Sequence, residues 1–216
     1  MPARPTIAVT RWIPDEAVKV LAEAGEVKLS DADRPLTPEE LREFVTDASA
    51  VVSMLHDRVD GSVAEAAGPG LKVVANVAVG YDNVDVAALA ARGVTVTNTP
   101  GVLTDATADL AFGLLLALTR RLGEGERLVR ARTPWSFHLG FLLGSGLQGK
   151  TLGVVGLGQI GRAMADRAAA FGLRTVYSGR SAKPDFDGEF VSFDELLRRS
   201  DFVSLHCPLT DRKSVV

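Results

Sequence analysis

Between Thr151 and Gly161 the chain reads Thr-Leu-Gly-Val-Val-Gly-Leu-Gly-Gln-Ile-Gly, an apolar run that ends in glycines at positions 156, 158 and 161. Leu152 to Val155 predicts a buried strand and Arg162 to Phe171 a helix. A strand that turns directly into a helix uses these glycines for three separate reasons. Gly156 permits the tight turn, Gly158 lets a pyrophosphate approach the backbone around Leu157, and Gly161 lets the helix lie against the sheet. Phosphate would then sit on the helix N-terminus, where unpaired N–H groups and the dipole favour anions. The pattern is that of a dinucleotide-binding turn.

The rest of the chain predicts an α/β architecture around this turn. Strand-type runs at Thr6–Val9, Glu26–Leu29, Ala50–Leu55, Leu71–Val74 and Val94–Thr97 alternate with helical patterns, and such alternation implies parallel sheets. Pro14 opens one helix, Thr37-Pro-Glu-Glu40 supplies an N-cap, a first-turn proline and a capping-box glutamate, and Gly25 and Gly93 read as helix stops. Thr99-Pro-Gly101 marks a crossing into a second unit. We therefore expect two doubly wound parallel-sheet domains: a flavodoxin-like one over residues 1–100, and an incomplete Rossmann dinucleotide-binding one over residues 101–216. In the second, one long helix is expected from Asp105 to about Arg132. Further on come a strand at Thr175–Ser178, a helix capped by Ser192 with Glu195 three residues on, and a strand at Phe202–His206.

Composition narrows the partners. With 46% hydrophobic residues the 216-residue chain can build real cores, while a formal net charge of -3 and no long basic block argue against nucleic acid or an anionic membrane. The longest apolar run, Leu110 to Leu118, is interrupted by Gly113 and too short to span a bilayer, so it is read as a buried helix. Cys207 is the single cysteine, and the start Met1-Pro-Ala-Arg-Pro-Thr6 lacks the apolar core of a signal peptide, which together predict a cytoplasmic protein. The expected partner is a small molecule.

Two stretches carry candidate binding chemistry. An acid normally follows the second strand of a dinucleotide fold to bind the ribose hydroxyls of NAD, but here the place reads Tyr177-Ser-Gly-Arg-Ser181. Gly179 leaves space, and Arg180, with Ser181 and Lys183 nearby, can bind a 2′-phosphate by charge-assisted hydrogen bonds. NADP(H) is accordingly expected over NAD(H), with ordinary surface charges as the alternative for Arg180 and Lys183. Upstream, Asn76-Val-Ala-Val-Gly-Tyr-Asp-Asn-Val-Asp85 follows a strand, and N–H groups around Val79 and Gly80 can hold a small anion such as a carboxylate. An ordinary turn is the competing reading there.

These residues resemble the D-2-hydroxyacid dehydrogenases. Ala78–Asp85, Gly93–Gly101, Val154–Arg162 and His206-Cys-Pro-Leu-Thr210 fall in that family's order and spacing over nearly the whole chain. Thr99–Asp105 and Tyr177–Arg180 are most similar to its glyoxylate/hydroxypyruvate reductases, which commonly use NADPH. The resemblance implies hydride transfer from NADPH to a short 2-oxo acid, giving the D-2-hydroxy acid. It implies that amides of Val79 and Gly80 bind the substrate carboxylate, with Leu55 and His56 lining the same cleft. Gln159 and Ile160 would touch the pyrophosphate, and Gly179, Arg180, Ser181 and Lys183 the adenosine phosphate. Cys207 with Pro208 would lie beneath the adenine ribose, and Thr104 would face the nicotinamide side. Trp135-Ser-Phe-His138 resembles a loop that reaches the other subunit of a homodimer.

One departure matters. Family members carry a catalytic arginine, glutamate and histidine in their last third, and the residues up to Val216 include none of the three segments. No catalytic residue is therefore assigned. His206 is read as a structural strand-end histidine, His56 as a cleft residue, His138 as a surface or subunit-contact residue and Cys207 as a packed thiol. The alternatives are a dinucleotide-binding regulatory protein, like the corepressors that share this fold, and an inactive short form.

Overall fold

A computed structural model describes residues 4–208, so the start at Met1 and the Leu209-Thr210 end of the last motif lie outside the described residues. The chain divides into two compact units between Val102 and Leu103.

The first unit follows from strands that are almost wholly apolar. β1 (Thr6–Val9), β3 (Ala50–Met54) and β4 (Val73–Val77) read Thr-Ile-Ala-Val, Ala-Val-Val-Ser-Met and Val-Val-Ala-Asn-Val, as strands covered on both faces do. The flanking strands β2 (Glu26–Leu29) and β5 (Thr95–Thr97) alternate polar with apolar residues, which suits edges. All pair in parallel in the order β2-β1-β3-β4-β5, the flavodoxin-like order. Helices α1 (Asp15–Ala24), α2 (Pro38–Phe44), α3 (Gly61–Ala67) and α4 (Val86–Ala90) connect them. The expected capping box opens α2: Glu40 N donates to Thr37 Oγ1 while Thr37 N donates to the Glu40 carboxylate. A hydrogen bond from Arg34 is the main cause that holds the Glu40 pKa down at about 2. Leu41, Val45, Val51, Val59, Val74 and Leu89 fill the core, each such side chain contributing about 1.5–3 kcal/mol by leaving water.

Three strand boundaries of this unit differ from expectation. β5 begins at Thr95 rather than Val94, because the Val94 N–H is taken by Leu89 O at 3.1 Å. β3 stops at Met54, because Asp57 N closes a turn onto Met54 O at 3.0 Å and turns Leu55 out of the sheet. β4 runs Val73–Val77 rather than Leu71–Val74, since its register with β3 continues to the Met54↔Val77 pair. The polar Asn76 interrupts the apolar run in sequence but not the ladder.

In the second unit, β6 (Thr151–Val155) is central, and the order is β8-β7-β6-β9, all parallel, with β7 Arg174–Ser178, β8 Glu189–Phe190 and β9 Phe202–Leu205. This matches the first four strands of the Rossmann order. His206 lies just past β9 yet still donates from its N–H to Val155 O at 2.8 Å. α5 (Thr104–Thr119), α6 (Leu122–Arg130), α7 (Gln159–Ala170) and α8 (Phe193–Arg199) complete the unit, the last capped by Ser192 as expected. α7 begins at Gln159, three residues before the expected Arg162, because Gly158 is its N-cap and accepts from Arg162 N at 3.0 Å.

The long helix expected from Asp105 to Arg132 is broken. Arg121 adopts a left-handed conformation (φ 54), and the returning chain donates Ser145 N to Thr119 O at 2.9 Å, which caps α5 and ends its ladder. Leu110–Leu118 is also not a buried helix. α5 buries Ala108 and Phe112 against α7, where Arg167 pairs with Asp105 and Asp109 and Phe112 meets Phe171 at 4.7 Å. Its other face leaves Leu110, Leu114 and Leu118 65%, 61% and 74% exposed. Among the described residues no helix is long and apolar enough to cross a membrane, and no cluster of metal-ligating side chains occurs.

Candidate functional site

Each unit gathers its candidate residues at the carboxyl ends of its parallel strands, where α/β sheets place ligands. In the first unit the loops after β1, β3, β4 and β5 supply Thr10, Leu55–Asp57, Ala78–Tyr81 and Asn98. A polar network beneath them sets their geometry. Asn76, only 1% exposed, accepts from Ser53 Oγ at 3.1 Å and donates from Nδ2 to Gly80 O at 2.9 Å. Asn83 Nδ2 donates to Met54 O and Asp57 O at 3.1 and 2.9 Å, which ties the loop after β4 to the turn that carries Leu55 and His56. The buried Asp57 carboxylate accepts from Thr10 Oγ1 at 2.5 Å and Met54 N at 2.7 Å.

The consequence is an array of outward-facing amides. A trans peptide places its N–H opposite its carbonyl. Ala78 O accepts from Thr99 N at 2.9 Å, Val79 O from Asn98 Nδ2 at 2.9 Å and Gly80 O from Asn76 Nδ2. The N–H groups of Val79, Gly80 and Tyr81 are thereby turned the other way, and among the described residues they donate to no other group. Consecutive N–H groups of this kind attract a small anion. Leu55, His56 and Gly80 are exposed and Val79 half-buried, so all four are accessible at the carboxyl ends of β3 and β4.

In the second unit the glycine turn has the properties expected of a phosphate cradle. Gly156 has φ 94, and a Cβ there would come within 2.7 Å of His206 O; a Cβ at Gly161 would overlap Gly156 O. Both positions require glycine for the fold. At Gly158 a Cβ would meet nothing within 4 Å, so this glycine leaves open space directly at the N-terminus of α7. The residues present fit a dinucleotide pyrophosphate on that observation. Leu157 has its side chain in the core with Phe112 and Met164 and offers only its backbone. Gln159 is exposed, Ile160 half-buried, and Thr104 Oγ1 donates to Gln159 Oε1 at 3.4 Å.

Gly156 joins three strand ends. Its N–H donates to Ser178 O at 2.9 Å, at the start of the loop carrying Gly179, Arg180, Ser181 and Lys183, and its Cα faces the His206–Cys207 peptide. Gly179, Arg180, Ser181 and Lys183 are all exposed, and Arg180 has no carboxylate partner among the described residues. Asp185 is engaged by Arg162 at 2.9 Å. Cys207 is half-buried and Pro208 exposed beside it. His206 Nε2 shares a hydrogen bond with Ser204 Oγ at 2.8 Å, and burial pushes its pKa below the ordinary 6.5. His138 is exposed near the edge of Phe141, whose ring stacks on Trp135.

Sequence reasoning missed the supporting residues: Ser53, Asn76, Asn83 and Asn98 in the first unit, Tyr177 and Arg162 in the second. An asparagine inside the otherwise apolar β4 was the available signal for the first group, since a buried amide must find partners.

The model of the D-isomer specific 2-hydroxyacid dehydrogenase catalytic domain matches residues 7–201. The glyoxylate reductases of Thermococcus litoralis and Thermococcus kodakarensis are 45% and 47% identical over 215 residues, covering 96% of this chain. The chain spans 65% and 64% of the lengths of these two relatives. A crystal structure from Thermus thermophilus superposes with a TM-score of 0.89 at 46% identity, covering 96% of this chain and 66% of that one. With the match extending through both units, the chain belongs to the D-isomer specific 2-hydroxyacid dehydrogenase family.

Proposed function

We propose that the chain supplies the carboxylate-binding and dinucleotide-binding parts of an oxidoreductase that reduces a short 2-oxo acid, glyoxylate or hydroxypyruvate, with NADPH. The observation that carries this reading is the turn after β6, where Gly158 leaves room for phosphate at the start of α7. Relatives named glyoxylate reductase support the substrate class. The first unit, to about residue 100, is the substrate-binding domain, and the rest is the NADP(H)-binding domain.

When bound, the cofactor supplies hydride to the substrate carbonyl. The residues of this chain hold the two reactants. Amides of Val79 and Gly80 take the carboxylate, flanked by Leu55 and His56; Gly156 to Gly161 take the pyrophosphate. Arg180, Ser181 and Lys183, with the space at Gly179, take the 2′-phosphate. Cys207 and Pro208 lie under the adenine ribose, and Thr104 faces the nicotinamide side. No general acid is assigned among the described residues: the His206 ring shares a hydrogen bond with Ser204 Oγ, and burial lowers its pKa, which disfavours the charged, proton-donating form. The lone cysteine suits a reducing cytoplasm. The exposed Trp135, Phe137, Leu139 and Leu143 suit burial in a homodimer.

Saturable quenching of tryptophan fluorescence by NADPH is the first test, and its absence overturns the proposal. The second is NADPH oxidation driven by glyoxylate, followed by absorbance once the rest of a relative's length is fused to the chain; no turnover by that fusion overturns the substrate assignment.

A further inference from the structure

The loop after β7 is anchored at both ends and free in the middle. At one end Ser178 O accepts from Gly156 N. At the other the Lys183 N–H donates to Tyr177 Oη at 2.7 Å, and the hydroxyl donates back to Lys183 O at 3.4 Å. Tyr177 is 2% exposed, its ring held by Phe186 at 5.5 Å and Phe190 at 5.4 Å. Beyond Lys183, Phe186 N donates to Lys183 O at 3.2 Å, and Arg162 binds Asp185 and lies over the Phe186 ring at 5.7 Å. Between the anchors, Gly179, Arg180, Ser181 and Ala182 are exposed, and a Cβ at Gly179 would meet nothing.

We infer that the Tyr177 hydroxyl is a positioning residue for the 2′-phosphate of the cofactor, acting through the Lys183 backbone to hold Arg180 and Ser181 in a short, preformed bow; this rests on the NADPH reading above. The reasoning is one of preorganisation. A free arc of a few residues loses little entropy when it clamps a phosphate, whereas loss of the Lys183 anchor lengthens the arc to the next fixed point near Asp185 and raises the cost of binding. Arg162 contributes twice, by anchoring that second point and by neutralising the Asp185 carboxylate, which would otherwise repel a phosphate. A 5′-phosphate on the glycine turn makes no use of the bow, so only ligands with a 2′-phosphate respond.

The test uses adenine-end probes that carry no nicotinamide, so that binding is read without turnover. Adenosine 2′,5′-bisphosphate and 5′-AMP are titrated calorimetrically into the chain and into its Tyr177→Phe, Asp185→Asn and Arg180→Ala variants. The phenylalanine keeps the ring between Phe186 and Phe190, and thermal melting checks the fold. The chain should prefer the bisphosphate at least tenfold, Arg180→Ala should abolish the preference, and Tyr177→Phe should lower bisphosphate affinity five- to tenfold with 5′-AMP within twofold. Asp185→Asn, which leaves the Lys183 anchor in place and removes a carboxylate charge, should not lower bisphosphate affinity. Equal loss of both probes in Tyr177→Phe, or an unchanged preference, overturns the inference alone. No preference in the unsubstituted chain overturns the NADPH reading, and the inference with it.

Discussion

Asn98 Nδ2 donates to the carbonyl of Val79 at 2.9 Å, across two neighbouring strand ends. That bond orients the peptide between Val79 and Gly80 so that the Gly80 N–H faces away from the protein's own acceptors. Together with the Thr99 N–H on Ala78 O, it links the end of β5 to the loop after β4.

Asn98→Leu should therefore weaken glyoxylate binding about fivefold, the worth of one hydrogen bond of about 1 kcal/mol, by releasing that peptide to rotate. Titration of glyoxylate against the amide ¹⁵N–¹H signals of Val79, Gly80 and Tyr81 measures it. An unchanged dissociation constant would show that Asn98 does not set the orientation.

The three turn glycines should separate into two kinds. Gly156→Ala should destabilise the second unit by about 1–3 kcal/mol through its positive φ alone, and Gly161→Ala should also destabilise it through overlap with Gly156 O. Gly158→Val should leave urea unfolding nearly unchanged while abolishing NADPH binding, because its side chain enters space that only the ligand uses. Retained NADPH affinity in a folded Gly158→Val chain would place the pyrophosphate elsewhere.

Acid should weaken the second unit at His206. Its pKa is lowered by burial, so the unfolded chain binds the proton more readily than the folded one. Stability is then full above the ordinary value of 6.5 and falls as pH drops through the lowered folded pKa. An NMR titration of the His206 ring should give a midpoint below 6.5, and His206→Gln should flatten the pH dependence of unfolding. A midpoint above 6.5 refutes the assignment.

For the proposed homodimer, Trp135→Ala combined with Phe137→Ala should shift association at least tenfold toward monomer in sedimentation velocity, since exposed aromatic side chains dominate such contacts. Identical sedimentation of the variant would remove this segment from the interface.

Legibility followed the range of the forces involved. β1 and β2 lie where their apolar patterns place them, and the Thr37 and Ser192 caps form as read, because propensity, capping and periodicity act over a few residues. The glycine turn was legible for the same reason, as its strand, turn and helix are contiguous. The break at Arg121 was not, since nothing in Thr-Arg-Arg-Leu forbids a helix; the donor that ends α5 comes from Ser145.

The sequence by itself thus determined the two doubly wound units and the glycine-rich strand–turn–helix at Gly156–Gly161, both of which depend on residue types close together in the chain. Only the tertiary structure decided which amides are left unpaired, which face of α5 stays exposed, and how the Arg180 loop is held. Asn98 lies nineteen residues from Val79, and Ser145 twenty-six from Thr119. Such pairings arise from the packing of whole strands, and a hydrogen bond between side chain and distant backbone leaves no periodic trace in sequence.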